Sequence, residues 1–316
     1  MARLRIDEKH VSMNVPRLLQ HVLLVISFRW DVQKLIYLKS ALYNAHQYQT
    51  SVAIHVVCDE AAALRHVLHT WEYPVTVNES QNLDNDTNTF SLLWEHRGIM
   101  QAAAMSGLYT TYIYMEDDTG LRWSSLVSWA LDQQILEPLG FSRGFYRTEI
   151  SPVDGATMML DTTEPINLTT YNRTVTVESH GSDLCLPVTS DRASISTICP
   201  NKHFVQLKRT FMGMWIASHT ELLNWIQHDF WHKAQSLGAV VPDPLLDYPE
   251  RTTGLFAYVD PPTGFLTRSV VPYDPERKVL VTTAEISHER NGYSIYSTEP
   301  GPGLRRVADV FQASEK

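Results

Sequence analysis

Tyr112-Ile-Tyr-Met-Glu-Asp-Asp-Thr119 is the stretch on which the reading of this chain turns. Tyr109 to Met115 is dominated by aromatic and β-branched side chains, the pattern of a buried strand. It stops at Glu116-Asp117-Asp118, so a strand delivers three adjacent carboxylates at its carboxyl end. In open α/β sheets that edge is where ligands bind. Three neighbouring anions repel one another unless solvent or a cation neutralises them. Hard oxygen ligands of this kind suit Mg²⁺ or Mn²⁺, which commonly also contact substrate phosphates. A solvated acidic turn capping the next helix is the alternative the same residues allow.

Working outward, Val22-Leu-Leu-Val-Ile-Ser-Phe28 is almost continuously apolar, as in a strand buried on both faces of a parallel sheet. Val32, Leu35, Ile36, Leu38 and Leu42 then recur at helical spacing. Val52–Val57 reads as a second strand ending in Cys58-Asp59-Glu60, Ala61–His69 as a helix, and Pro74–Val77 as a third strand. Asn78 to Asn88 is a polar loop, Leu92–Ser106 a helix, and Leu126–Leu136 the helix behind the acidic strand. Strands alternating with helices predict right-handed crossovers and a doubly wound α/β sheet, mostly parallel, with helices on both faces.

Beyond Phe141-Ser-Arg-Gly-Phe145, another expected strand, the pattern loosens into hairpins and loops over residues 150–203. Helical periodicity returns at Thr220–Ala234, with Leu222, Leu223, Ile226 and Phe230 on one face. Phe211–Ile216 reads as a core strand rather than a sugar platform. Val279–Glu285 reads as a strand, followed by Ser287-His288-Glu289. No internal repeat or low-complexity linker divides the chain, so residues 1–316 read as one domain with an elaborated C-terminal half.

Composition narrows the function. The 316 residues carry 26 Lys and Arg against 35 Asp and Glu, a net charge of −9 that argues against nucleic-acid or anionic-lipid partners. An apolar fraction of 44% excludes intrinsic disorder, and three cysteines exclude a disulfide scaffold. Cys58 is expected in the core; Cys185 and Cys199 can pair or stay free. The longest apolar run, residues 22–28, is too short for a membrane span of about 20 residues and starts too far in for a signal peptide. Four sequons at Asn78, Asn85, Asn167 and Asn172, read as loop residues, would suit a secretory lumen, although such tripeptides also arise by chance. With no entry signal, the expectation is cytoplasmic.

Glu116-Asp117-Asp118, after the fourth strand of a βαβ series, resembles the metal motif of GT-A-fold glycosyltransferases, which carry Asp-x-Asp or a variant there. Leu93-Trp-Glu-His-Arg97 upstream, Gly140-Phe-Ser-Arg-Gly-Phe-Tyr-Arg-Thr-Glu149 downstream and the late His288 are similar in order to such proteins, from about Val22 to Tyr293. The resemblance implies a Rossmann-like GT-A fold, with residues 18–140 holding a nucleotide-sugar, 141–300 binding the acceptor and 301–316 a tail. It further implies Mn²⁺ or Mg²⁺ on Asp118, aided by Asp117 and Glu116 through charge, water or ribose contact, and His288 as a further ligand. Ser27-Phe-Arg29 matches the nucleotide-holding strand end, and Asp59 suits a base or ribose contact.

Other residues are read from their own chemistry. His96 and Arg97 begin the helix before the acidic strand, and the planar fork of Arg97 suits phosphate as well as it suits a salt bridge to Glu95. Arg143, Arg147 and Glu149 share a strand face in the expected acceptor cleft, where Phe141, Phe145 and Tyr146 would stack on sugars. An inverting transfer needs a carboxylate base. Glu250 is the candidate because the proteins it resembles show an Arg/Glu-x-Ala/Thr-x-Gly segment there, although Glu250 precedes Arg251, against the expected order; Glu221 and Asp229 are weaker. No nucleophile elbow, Walker loop, dinucleotide fingerprint, Cys-x-x-Cys or zinc-protease motif occurs. The expectation is a metal-dependent glycosyltransferase using a nucleotide-sugar and a glycan or other hydroxyl acceptor. The alternatives are a metal-dependent phosphoester hydrolase and a non-catalytic carbohydrate-binding relative.

Overall fold

The apolar run at residues 22–28 forms β1 (His21–Phe28), the middle strand of a five-stranded sheet. The computed structural model describes residues 15–80, 91–160, 166–177, 186–188, 196–198, 201–207, 213–228, 231, 260–290 and 305–311. The chain alternates as expected through α1 (Leu35–His46), β2 (Ser51–Cys58), α2 (Ala61–Leu68), β3 (Thr76–Glu79), α3 (His96–Ser106) and β4 (Thr111–Glu116). β1 pairs in parallel with β2 and with β4, and β2 with β3. The order therefore reverses at β1, which leaves a crevice between the carboxyl ends of β1 and β4.

Side-chain alternation explains why this sheet is covered on both faces. Val22, Leu24, Ile26 and Phe28 of β1 join Ile113 and Met115 of β4 against Leu38 and Leu42 of α1 and Leu64 of α2. Leu23 and Val25 join Tyr112 and Tyr114 on the other face, against Met100 and Ala104 of α3. All these side chains are buried, at about 1.5–3 kcal/mol each for the larger ones. Cys58 is buried and free, as its strand position predicted. α3 ends where Gly107 turns to φ +65°.

Past β4 the chain is strand-rich. It forms β5 (Thr119–Gly120), α4 (Trp123–Leu136), β6 (Ser142–Arg143), β7 (Tyr146–Ile150), β8 (Thr157–Met159), β9 (Thr174–Val177), β10 (Leu186–Val188), β11 (Ser196–Ile198) and β12 (Lys202–Val205). β13 (Met214–Ser218) and α5 (His219–Ile226) follow, then β14 (Ser269–Asp274), β15 (Val279–Leu280), β16 (Glu285–His288) and β17 (Arg305–Arg306). β13 returns to the first sheet as the antiparallel neighbour of β4, so residues 214–216 are core strand as read. α5 opens with a capping box: Ser218 Oγ accepts the Glu221 N–H at 3.1 Å, and Glu221 Oε2 accepts the Ser218 N–H at 3.2 Å. α4 packs on the same face as α1 through Leu126, Trp129 and Ala130, and α5 beside α3 through Leu222 and Trp225. The result is a Rossmann-like α/β layer structure, mostly parallel in its central sheet, with further sheets built from the C-terminal half.

Two of those sheets matter for position. One runs β17-β8-β7-β16-β5; the other runs β15-β14-β12-β9, with β6 alongside β14. The expected strand at 279–285 is interrupted. A 3₁₀ turn at Thr282–Ala284 separates β15 from β16, pinned to α4 by a 2.8 Å bond between Ser128 and Thr283 hydroxyls. Likewise the segment at 141–149 is two strands in two sheets, β6 and β7, rather than one. Asn78 lies within β3, 3.2 Å from His55 Nδ1, rather than in a loop; Asn85, Cys185 and Cys199 fall outside the described residues. Among the described residues no helix is long and apolar enough to cross a membrane.

Candidate functional site

The three carboxylates at the end of β4 part company because successive side chains alternate. Glu116 lies on the β13 side, where its N–H donates to Gly213 O at 2.9 Å. Its carboxylate fills the space a side chain on Gly213 would need, since a Cβ there would stand 2.6 Å from Glu116 Oε2. Gly213 also holds φ +59°, so glycine is required there for both reasons. Asp117 is buried, and that burial, reinforced by neighbouring Asp118, pushes its carboxyl up to about 7; Lys34 and Arg290 pull the other way.

Asp118 is held by a strand pairing that the sequence does not advertise. β5 pairs antiparallel with β16, placing Thr119 opposite His288 and Gly120 opposite Ser287. The Glu289 N–H donates to Asp118 O at 2.8 Å. Gly120 allows this approach, because a Cβ there would meet Ser287 Oγ at 2.2 Å. On its other side β16 runs parallel to β7, with Ser287 opposite Thr148, which brings Glu149 beside His288. Asp118, Glu149 and His288, far apart in sequence, therefore meet through three short strands.

The resulting geometry is linear. His288 Nε2 lies 3.1 Å from Asp118 Oδ2, and His288 Nδ1 lies 2.5 Å from Glu149 Oε1. The imidazole and the Glu149 carboxylate are buried, and Asp118 is nearly so. Burial by itself would lower the His288 value, but the two flanking carboxylates override it and raise it to about 9. Asp118 shows the complementary result: burial pushes its carboxyl up, yet the bond to His288 and the charges of His288, Arg147 and Lys34 leave it below its ordinary value. Arg147 is buried two residues before Glu149 on the same strand face, and both Asp118 and His288 feel its charge.

Asp118 Oδ1 is buried and accepts no hydrogen bond among the described residues. A buried carboxylate oxygen left in this way is unfavourable unless something else reaches it. Asp118 Oδ2 and His288 Nε2, at 3.1 Å, match adjacent corners of an octahedron with bonds of about 2.1 Å. Among the described residues no group of three or more His, Cys, Asp or Glu is arranged to hold a metal ion. Glu149 bonds the far nitrogen of the imidazole, which leaves Asp118 and His288 as a two-ligand set. Such a set fits a divalent ion that completes its shell with water and substrate phosphate rather than with protein.

The remaining predicted residues are distributed around this centre. Ser27 is buried at the end of β1, with its hydroxyl 3.5 Å from Leu92 O, and Arg29 is exposed beyond it. Asp59 Oδ1 accepts the Trp30 N–H at 2.6 Å, tying the β1 exit to the β2 exit. His96 stacks on Tyr114 with centroids 3.8 Å apart. The Arg97 guanidinium sits 4.0 Å over Trp94 and 5.3 Å from Trp231, whose carbonyl accepts its Nη1–H at 2.9 Å. Burial holds Arg97 down to about 9.

Arg143 does not join Arg147 and Glu149. The break between β6 and β7 resets the alternation, and Arg143 turns to Asp132 at 3.4 Å and to Phe145 at 4.3 Å. Phe141, Phe145 and Tyr146 are all buried, so the expected sugar-stacking surface is core instead. Glu221 is likewise buried, engaged by Ser142 at 2.5 Å and by its capping box. Glu250 and Asp229 lie outside the described residues. Nothing local in the sequence connects Arg147 or Glu149 to the acidic motif or singles out Lys34 or Arg290. The 147/149 alternation placed those two on one face, but nothing local said which strand that face would meet.

No family model matches the sequence, and none of the curated proteins matches it either. Among solved structures, it is similar to 4-diphosphocytidyl-2C-methyl-D-erythritol synthase from Anaerococcus prevotii, at 9% identity over 88% of this chain and 96% of that one, with a TM-score of 0.35. A likeness that distant says nothing of what this chain does.

Proposed function

We propose that this chain is a divalent-metal-dependent glycosyltransferase that moves a sugar from a nucleoside-diphosphate sugar to a hydroxyl acceptor. The observation that carries the proposal is the buried Asp118 Oδ1, without a hydrogen-bond partner among the described residues, beside the Asp118–His288 pair at the carboxyl edge of the sheet next to its topological switch point.

In this reading Asp118 and His288 hold Mn²⁺ or Mg²⁺, and Asp117 and Glu116 add negative charge around it. The ion, when bound, supplies positive charge to the diphosphate oxygens as the nucleotide leaves. Arg147 provides the protein's own cation beside that position. The nucleoside is assigned to the crevice at the exits of β1 and β2, with Ser27, Arg29 and Asp59 at its walls. His96 and Arg97 form the aromatic-lined flank formed by α3. In an inverting transfer Glu250 takes the acceptor proton; a retaining transfer needs no such base.

Thermal melting with nucleoside diphosphates and nucleotide-sugars, with and without Mn²⁺, tests this on wild type and Asp118→Ala. A nucleotide at about a hundredfold excess over its dissociation constant stabilises by about 2.7 kcal/mol. The expected result is a Mn²⁺-dependent rise for one nucleotide family that the variant loses. A folded wild-type protein that shifts with no nucleotide contradicts the proposal; glycan binding without Mn²⁺ would favour the carbohydrate-binding alternative.

A further inference from the structure

The assignment of Asp118 and His288 leaves Glu149 unexplained. Its side chain is fully buried, and its Oε1 stands 2.5 Å from His288 Nδ1, on the opposite side of the ring from Asp118. A carboxylate in that place is too far around the imidazole to be a ligand itself. It can nevertheless decide which ring nitrogen carries hydrogen. A neutral imidazole has one N–H and one lone pair, and an anionic acceptor at Nδ1 keeps the hydrogen there. The lone pair is then on Nε2, the atom that faces Asp118 Oδ2.

We propose that Glu149 is a positioning residue for the cation site: it fixes His288 as the Nδ1–H tautomer and aims Nε2 at a divalent ion shared with Asp118. The inference rests on the metal reading above and goes beyond it by naming the group that makes His288 a ligand. Backbone register supports the assignment independently of the side chains. Ser287 pairs with Thr148 in the β16–β7 ladder, while His288 faces Thr119 in the β16–β5 ladder. β16 thus clamps the ring between a strand supplying the ligand carboxylate and a strand supplying the orienting one. Thr148 reinforces the second strand, donating its hydroxyl to Glu285 Oε1 at 2.8 Å. Partners of this kind typically change metal affinity by 10–100-fold when replaced.

The test uses the intact chain and the metal alone. Mn²⁺ is titrated by electron paramagnetic resonance into wild type and Glu149→Gln, each first shown by melting to be folded without metal. Gln keeps the shape and an acceptor oxygen but loses the charge. The expected outcome is saturable binding by wild type and affinity weakened 10–100-fold in Glu149→Gln, with the nitrogen coupling of a bound imidazole diminished. A second reading needs no variant. Nitrogen NMR of histidine-labelled wild type loaded with diamagnetic Mg²⁺ is expected to show His288 with hydrogen on Nδ1 and none on Nε2.

Equal Mn²⁺ affinity in wild type and Glu149→Gln overturns the role of Glu149 while leaving the metal site standing; hydrogen on Nε2 in the Mg²⁺-loaded protein removes His288 as a ligand and overturns both. Wild type that binds no Mn²⁺ overturns both. If Glu149→Gln does not fold, the Mg²⁺ spectrum of wild type decides alone.

Discussion

Arg143 and Glu149 stand close together in sequence yet enter buried charge clusters of opposite character. Arg143 donates to Asp132 Oδ2 at 3.4 Å, to Gly144 O at 2.8 Å and to Thr283 O at 3.0 Å, while Lys202 covers Asp132 Oδ1 at 2.7 Å. Both oxygens of that carboxylate are engaged, and the cluster ties α4, β6, β12 and the 3₁₀ turn together. Around Glu149 the charges are as deeply buried, but Asp118 keeps an oxygen with no hydrogen-bond partner among the described residues. The difference teaches that buried charge by itself does not mark a site. What separates these two clusters is a carboxylate oxygen without a partner among the described residues, placed where an α/β sheet opens to ligands.

That contrast can be broken by substitution. Asp132→Ala strands the Arg143 guanidinium, which burial already holds down to about 10, and is expected to destabilise by about 3–5 kcal/mol. Denaturant unfolding measures this, and Mn²⁺ binding per folded molecule is expected to be unchanged. Asp118→Asn is expected to do the reverse. It should reduce transfer by at least about 100-fold, in line with loss of one preorganised electrostatic group. Having lost the charge of the pair with His288 but kept a hydrogen-bonding oxygen, it lowers the unfolding midpoint by less than Asp132→Ala does. If Asp118→Asn unfolds and Asp132→Ala abolishes metal binding in folded protein, the two clusters have been assigned the wrong way round.

Glu221 sharpens the comparison as a third buried carboxylate, one with a structural role. Burial pushes it up to about 7 against the hydrogen bonds from Ser142 and Ser218 that lower it, with Glu137 adding repulsion. Its folded value lies above the unfolded value of about 4.3, so the folded state binds the proton more tightly. Stability from this group is therefore greatest below about pH 4.3 and declines as pH rises toward 7, by at most about 1.4 kcal/mol per unit. Unfolding curves across this range are expected to show a shallower decline for Glu221→Gln than for wild type. Identical slopes would remove Glu221 as the titrating group. At Gly213, Ala must hold φ +59° at about 1–2 kcal/mol and must also displace the Glu116 carboxylate, an effect read as a lower melting temperature.

The parts of this protein legible in sequence were those governed by local periodicity. β1, α1, β2 and β4 follow from apolar runs and helical spacing, and the acidic strand end sits where the alternation put it. The site itself was half legible. Asp118 and His288 were named, but the pairing that joins them is a two-residue strand, Thr119-Gly120, too short to carry any period. Glu149 and Arg147 were visible as a face and assigned to an acceptor, because only tertiary register shows that the face meets β16. The aromatic residues around them suggest sugar platforms, yet Phe145 and Tyr146 are buried in the core. Arg97 shows the same limit: its charge suggested phosphate, while Trp94 and Trp231 supply the aromatic faces it stacks on.

Anomalous diffraction from crystals soaked with Mn²⁺ and a nucleoside diphosphate tests the central claim most directly. The account predicts one strong peak within about 2.3 Å of both an Asp118 carboxylate oxygen and His288 Nε2, with diphosphate oxygens completing its shell. A protein that binds the nucleotide with no peak there, or with Asp118 and His288 still bonded directly to each other, would contradict it.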